Sequence, residues 1–260
     1  MSAIYRYPLK SARGHSLQDA RTDAFGIEGD RRWMLVDERG VFVSQRTMAA
    51  MALLEVMPTH DGLLLAYRGA QVTVALPAPD AARESVQVWS DHLEGLVAAS
   101  AANHWLSQQF GVPLRLVYCP EDARRPVDPH YAAEGARVAF PDGFPLLVIT
   151  QASLDDLNRR LPAPVPMDRF RPNLVIGGAD AFDEDHWSRL RIGDAQIDLV
   201  KPCSRCVVPS IDQATGERDG SINRVLAGFR RRDGQIYVGM NALAPAGARL
   251  RVGDPVAVLH

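Results

Sequence analysis

Two of the three cysteines in this 260-residue chain lie three positions apart, in Lys201-Pro202-Cys203-Ser204-Arg205-Cys206. That spacing suits half of a zinc site, a redox dithiol, or two cysteines buried for packing alone. Zinc takes four ligands, yet only Cys119 remains as a further sulfur, and histidines such as His104 and His186 show no ligand spacing. A thioredoxin-type dithiol opens a helix, whereas Val207-Val208-Pro209-Ser210-Ile211-Asp212 reads as a strand following Cys206. Arg205 between the sulfurs, with Lys201 nearby, favours a thiolate because positive charge stabilises the anion, and a thiolate is what a soft metal binds. Spacing alone leaves all of these readings open.

Two further groups of residues suit an anion. Tyr7-Pro8-Leu9-Lys10-Ser11-Ala12-Arg13-Gly14 and Glu28-Gly29-Asp30-Arg31-Arg32-Trp33-Met34 set cations and a hydroxyl beside glycines whose amides are free to donate. No Walker-type or dinucleotide-type glycine spacing accompanies them. In Phe170-Arg171-Pro172-Asn173 the proline sets the backbone and leaves Arg171 and Asn173 to face something polar. Taken singly, each group equally suits a surface loop with solvated charges. Asp212 stands near Cys206 and offers either a proton relay or a turn residue of Ile211-Asp212-Gln213-Ala214-Thr215-Gly216, the turn being favoured by its Asp and Gly.

The elements that must position these residues are mostly short strands. The expected ones are Ala20–Phe25, Arg32–Asp37, Val41–Ser44, Leu63–Tyr67, Gln71–Ala75, Leu114–Tyr118, Phe144–Ile149, Asn173–Gly178, Arg189–Ile192, Ala195–Val200, Gln235–Val238 and Pro255–Leu259. Helices are expected over Ala101–Phe110, closed by Gly111, and over Leu154–Leu161, capped by Ser153. The polar run Pro120–Gly135 reads as a long loop near a boundary between two units. Regular strand–helix alternation is missing, so a mixed β-barrel is expected over a doubly wound sheet. Hydrophobic residues make up 47% and the net charge is -2, which gives no footprint of nucleic acid or an anionic membrane. No apolar run long enough for a membrane helix and no secretory signal is present, so the expected compartment is the cytoplasm.

Read in order, these motifs resemble the MOSC family, in the branch that contains the mitochondrial amidoxime-reducing component and its bacterial relatives. The resemblance rests on Tyr7-Pro8-Leu9-Lys10-Ser11, Gly29-Asp30-Arg31-Arg32-Trp33, Ala152-Ser153-Leu154-Asp155-Asp156-Leu157-Asn158, Phe170-Arg171-Pro172-Asn173, Pro202-Cys203-Ser204-Arg205-Cys206 and Val252-Gly253-Asp254-Pro255-Val256. It implies a mainly β fold: a MOSC β-barrel over residues 119–260 and a smaller N-terminal β-barrel-like domain over 1–118, whose first residues pack on the MOSC barrel. It further implies a molybdenum cofactor (Mo-molybdopterin) whose metal takes its thiolate from Cys206. Lys10, Ser11, Arg31, Arg171, Asn173, Ser204 and Arg205 are implied to hold the pterin and its phosphate. The implied activity is reduction of small N-hydroxylated compounds. Because the chain ends at His260 with no iron–sulfur domain and starts almost at the Tyr-Pro-Leu-Lys motif with no anchor, electrons are expected from a separate ferredoxin, flavodoxin or cytochrome-like protein. The competing expectation is a non-catalytic carrier of molybdenum cofactor or of sulfur, with Cys203 beside Cys206 available for a persulfide.

Overall fold

In the computed structural model, which describes residues 1–259, the largest assembly is a nine-stranded sheet. Its main path runs Val256–Leu259, Arg189–Ile192, Ala195–Ser204, Gln235–Leu243, Leu146–Thr150, Leu174–Ile176, Ala3–Arg6, His15–Leu17. The first residues of the chain therefore complete the sheet of the second half: Ile4 sits opposite Leu174, and Ala20 sits opposite Leu250 in a separate pairing. Both faces are apolar, and Ile4, Val148, Leu174, Leu190 and Ile197 meet in one core while Ile149, Leu157, Phe170 and Leu226 meet in another. A four-stranded sheet holds Trp33–Val36, Arg115–Tyr118, Asp91–Val97 and Arg83–Val88, and Glu55–Thr59, Gly62–Tyr67 and Ala70–Ala75 form a three-stranded meander.

Helix α1, Ser100–Phe110, stops at Gly111 because its φ of 70° lies in the left-handed region that a side chain opposes. Its buried Leu106 packs with Leu35, Leu65 and Leu116. Truncating such a fully buried leucine to alanine costs about 2–5 kcal/mol. Helix α2, Gln151–Arg160, links the two parallel strands Leu146–Thr150 and Leu174–Ile176. Its cap is Thr150, whose hydroxyl accepts from the Ser153 amide, so Ser153 lies inside the helix instead of capping it. Helix α3, Ser221–Phe229, lay outside the sequence expectation; Ile222 and Leu226 are its buried stripe.

Two expected strands fail. Val41–Ser44 makes only isolated bridges at Val41 and Phe42, because Ser44 turns the chain by accepting from the amides of Thr47 and Met48. After Cys206 the chain forms a short 3-10 turn, Val208–Ser210, and no strand. Pro209 has no amide to give a ladder, and the strand lies on the other side of the motif, at Ala195–Ser204. That strand slips register between Leu199 and Lys201 and again between Pro202 and Ser204. Bulges let Pro202 sit in a central strand and re-aim the residues that follow, which delivers Arg205 and Cys206 to the sheet's end. Beneath it Gly239, at φ 76°, passes so close to the Val148 carbonyl that a Cβ would stand 2.7 Å from its oxygen. Among the described residues no helix is long and apolar enough to cross a membrane.

Candidate functional site

Where the first residues cross the second half's sheet, the chain leaves an open cavity of about 140 Å³. Lys10, Ser11, Arg31, Arg171, Asn173, Ser204, Arg205 and Cys206 all line it, so four separate sequence motifs converge on one space. Arg46, Asp142, Phe144 and Asn241 join them. Five cationic side chains thus face a single lining carboxylate, that of Asp142.

Three lining residues, Ser11 (φ 67°), Arg31 (φ 46°) and Arg171 (φ 55°), hold a left-handed backbone without being glycine. Each such residue costs on the order of 1–2 kcal/mol, and such strain gathers where geometry matters more than stability. The surroundings enforce it. Ser11 donates no strand bond but its carbonyl accepts from Gln45 Nε2 at 2.7 Å. The Arg31 amide bonds the Tyr7 carbonyl at 2.7 Å, and its guanidinium reaches Asp30 at 2.5 Å, Asn173 Oδ1 at 3.1 Å and the Arg171 carbonyl at 3.1 Å. Asn173 is held at both ends of its amide, since its Oδ1 also accepts from the Leu147 amide and its Nδ2 donates to the Tyr5 carbonyl. It therefore orients Arg31.

Tyr7 is stacked by both Arg31 and Arg171, at 4.5 and 4.2 Å from guanidinium carbon to ring centre, and its hydroxyl donates to the Pro172 carbonyl. Burial raises the pKa of that phenol, although the two arginines pull it down. Arg171 itself is lowered to about 10 by burial, which Tyr7 partly offsets. Its Nη1 makes one long contact, 3.4 Å to Gln213 Oε1, and its buried Nη2 has no partner among the described residues. A desolvated guanidinium with an idle donor, in a cavity of excess positive charge, is a place for an anion.

On the opposite wall Lys10 donates to the Phe140 carbonyl at 2.7 Å and pairs with Asp142 at 2.5 Å. Burial pushes it down to about 8 against the pull of Asp142. Burial also works against the charge of Arg46, but Asp142, 2.6 Å away, and then Cys206 outweigh it and raise its pKa. Arg125, buried beneath, ties down this wall by donating to the carbonyls of Ala139, Pro141 and Asp142.

The two cysteines differ. Cys203 is packed in an apolar cluster and accepts from Arg205 Nη1 at 3.1 Å, while Arg205 Nη2 holds the Phe170 carbonyl at 2.8 Å. Cys206 Sγ takes a long contact from the Val208 amide, 3.5 Å, and lies close enough to Arg46 to raise its pKa, while its carbonyl accepts from Asn223 Nδ2. Both sulfurs line the cavity, and Cys206 carries the longer, weaker contact. No group of three or more His, Cys, Asp or Glu side chains that could hold a metal ion comes together among the described residues. Asp212 is a turn residue: its carboxylate accepts from the Ala214 and Thr215 amides and from Arg169 Nη2.

Sequence reasoning missed Arg46, Asp142 and the pair Gln45 and Gln213. The last two are buried and exchange amide hydrogen bonds at 2.9 and 3.0 Å across 168 residues of chain. Nothing local marks such residues; only the burial of polar groups far apart in sequence gives them away.

Comparison with known families places the MOSC domain over residues 135–257 and the MOSC N-terminal beta barrel domain over residues 1–113. The chain is 31% identical over 286 residues to mitochondrial amidoxime-reducing component 1 of Homo sapiens, covering 100% of this chain and 82% of that one. It is 30% identical over 284 residues to the Xenopus laevis protein of the same name (98% and 81% covered). It is also 30% identical over 278 residues to mitochondrial amidoxime reducing component 2 of Rattus norvegicus (98% and 82% covered).

Proposed function

This chain belongs to the MOSC family, with relatives named as amidoxime-reducing components, and from that premise we propose that it is a molybdenum-cofactor-dependent reductase of small N-hydroxylated compounds. The single observation that carries the reading is the buried Arg171 guanidinium, one donor idle, in the cavity that Cys206 lines. Those donors fit the anionic phosphate and polar pterin of such a cofactor, and a cysteine sulfur suits molybdenum. The cofactor, when bound, supplies a two-electron couple and an acceptor for oxygen.

The chain's own residues bind and orient. Cys206, two residues past the bulged strand that ends at Ser204, would hold the metal through its sulfur. Arg171, Arg31, Lys10, Ser11 and Arg205 supply the cations and donors for the phosphate and pterin, while Asn173 fixes Arg31 and Ser204 flanks the ligand. Phe144 and Phe170 add apolar wall that sheds water from the site. Reduction of an N–OH group consumes two electrons and two protons and releases the amine-type product and water. The electrons come from a separate donor protein of ferredoxin, flavodoxin or cytochrome type, and the compartment is the cytoplasm.

The test is metal and pterin analysis of the reconstituted protein, followed by reduction of a benzamidoxime-type substrate with an artificial donor. Cys206→Ser is expected to lose molybdenum while Cys203→Ser keeps it; the reverse assigns the ligand to Cys203. Retained cofactor without N–O reduction defeats the enzyme reading in favour of a carrier.

A further inference from the structure

Trp89 breaks a local rule beside this cavity. The hairpin of Arg83–Val88 and Asp91–Val97 pairs Val88 with Asp91, which leaves Trp89-Ser90 as a two-residue loop. Trp89 has φ 58°, whereas Ser90 is not among the positive-φ residues. A two-residue hairpin loop with positive φ at its first position alone is a type II′ turn, the position that wants glycine. A bulky side chain there is a genuine outlier. The core does not reward it, because the indole is 46% exposed.

What holds the ring points at the site. Phe42 meets it edge-on at 5.1 Å between centres, and the Arg46 guanidinium lies over it at 4.6 Å. Phe42 in turn lies 5.2 Å from Lys10 Nζ, and Arg46 pairs with Asp142. Lys10, Arg46 and Asp142 all line the cavity, and the Asp142 side chain, half-exposed, marks where it opens to solvent. The free part of the indole is thus one side chain away from that opening, on a turn rigidified by Gln87 Nε2 donating to the Trp89 carbonyl at 2.6 Å.

We propose that Trp89 is the substrate platform of this site: the indole at the rim stacks planar, aromatic N-hydroxylated compounds while their N–OH end enters the cavity. The inference rests on the proposed function above and names its substrate class. Stacking on an open aromatic face is sequence-tolerant and geometric, so it selects flatness and leaves the rest of the substrate free. Arg46, pinned flat between Trp89 and Asp142, keeps the rim from collapsing into the cavity.

The experiment compares cofactor-loaded wild type, Trp89→Gly and Trp89→Phe on an aryl amidoxime and a short aliphatic N-hydroxy compound, and titrates each protein with the aryl compound by tryptophan fluorescence. Trp89→Gly suits the positive φ and is expected to fold with a Tm at or above wild type. Its aryl-to-aliphatic ratio of kcat/KM is expected to fall by roughly fivefold to tenfold, the size of one lost aromatic stack. Trp89→Phe is expected to recover most of that ratio, and the saturable quench expected of wild type should vanish in both variants. An unchanged ratio and quench in folded Trp89→Gly overturns the platform. A raised KM for the electron-donor protein, with the substrate ratio unmoved, also overturns it and assigns Trp89 to the partner. Trp89-dependent binding of the aryl compound without any N–O reduction leaves the platform standing and defeats the proposed reaction instead.

Discussion

Replacing Gln45 with methionine separates the fold from the site. Methionine keeps the length of the side chain but can neither donate nor accept strongly, so no large cavity opens. Three bonds go: Gln45 Nε2 to the Ser11 carbonyl at 2.7 Å, Nε2 to Gln213 Oε1 at 2.9 Å, and Gln213 Nε2 to Gln45 Oε1 at 3.0 Å. Gln213 retains Nε2 to the Ile211 carbonyl and a long contact from Arg171, but the Ser11 carbonyl loses its side-chain donor. One buried acceptor left without its donor and one weakened amide, at about 1–3 kcal/mol each for a buried unmade bond, sum to about 2–6 kcal/mol. For a chain of this size that lowers Tm by roughly 5–12 °C. The functional loss exceeds the stability loss, because the same amide restrains Ser11 at φ 67° and sets the acceptor of Arg171. The assay is cofactor occupancy, by metal and pterin content, at a temperature where all variants are folded, with Val86→Ala in a separate core as the control of matched instability. Gln45→Met should lose cofactor and Val86→Ala should keep it. Equal occupancy in the two variants, or a Tm within a degree of wild type for Gln45→Met, refutes the reasoning.

Other substitutions read other parts of the same logic. Arg171→Met removes a buried, under-bonded cation, so the cofactor-free protein should melt no lower than wild type while cofactor affinity falls at least tenfold, as followed by equilibrium binding. Glu184 is fully buried, and burial raises its pKa although Ser153 and Thr150 donate to it. Its folded pKa therefore exceeds the unfolded 4.5, and the stability it contributes is complete below that pH and is lost as pH rises through the folded value. Glu184→Gln should consequently gain on wild type as pH rises above 4.5 in melting experiments, and a pH-independent difference would sink the assignment.

The strand content and most element positions were legible because alternation and turn residues are local signals. Gly111 closed its helix as expected, and Gly62–Tyr67 and Ala70–Ala75 fell where period-two patterning put them. Illegible features depend on distant partners. Thr150 could cap α2 in place of Ser153 only because the parallel strand before it ends there, with the Ser153 hydroxyl drawn instead to Glu184, 31 residues on. Placing a strand after Cys206 rested on the β-branched Val207-Val208, but tertiary packing of Pro209 and Ser210 beside α3 decides that segment. Arg46 carries no local signal, because the residues that flank it, Asp142 and Trp89, are distant in the chain.

The cavity residues share a property that residue type alone does not reveal. Ser11, Arg31 and Arg171 come from two motifs of the first half and one of the second, yet all three adopt the left-handed backbone and meet at one space. Helix and strand continue a chain past its neighbours, with amides consumed by ladders. A left-handed residue interrupts that repetition and leaves the amides and carbonyls near it for other partners. Arg31 shows the consequence: its amide bonds Tyr7, its guanidinium braces the Arg171 carbonyl, and the two arginines clamp the Tyr7 ring. The N-terminal residues and the Phe170–Asn173 loop are thereby locked together before any ligand arrives, with the Arg171 Nη2 donor still free. Preorganisation of that kind raises affinity by removing the ordering cost from the binding step. It also explains why the first strand belongs to the second half's sheet: the pairing of Ala3–Arg6 with Leu174–Ile176 is what brings Lys10 and Ser11 within reach of Arg171 and Cys206.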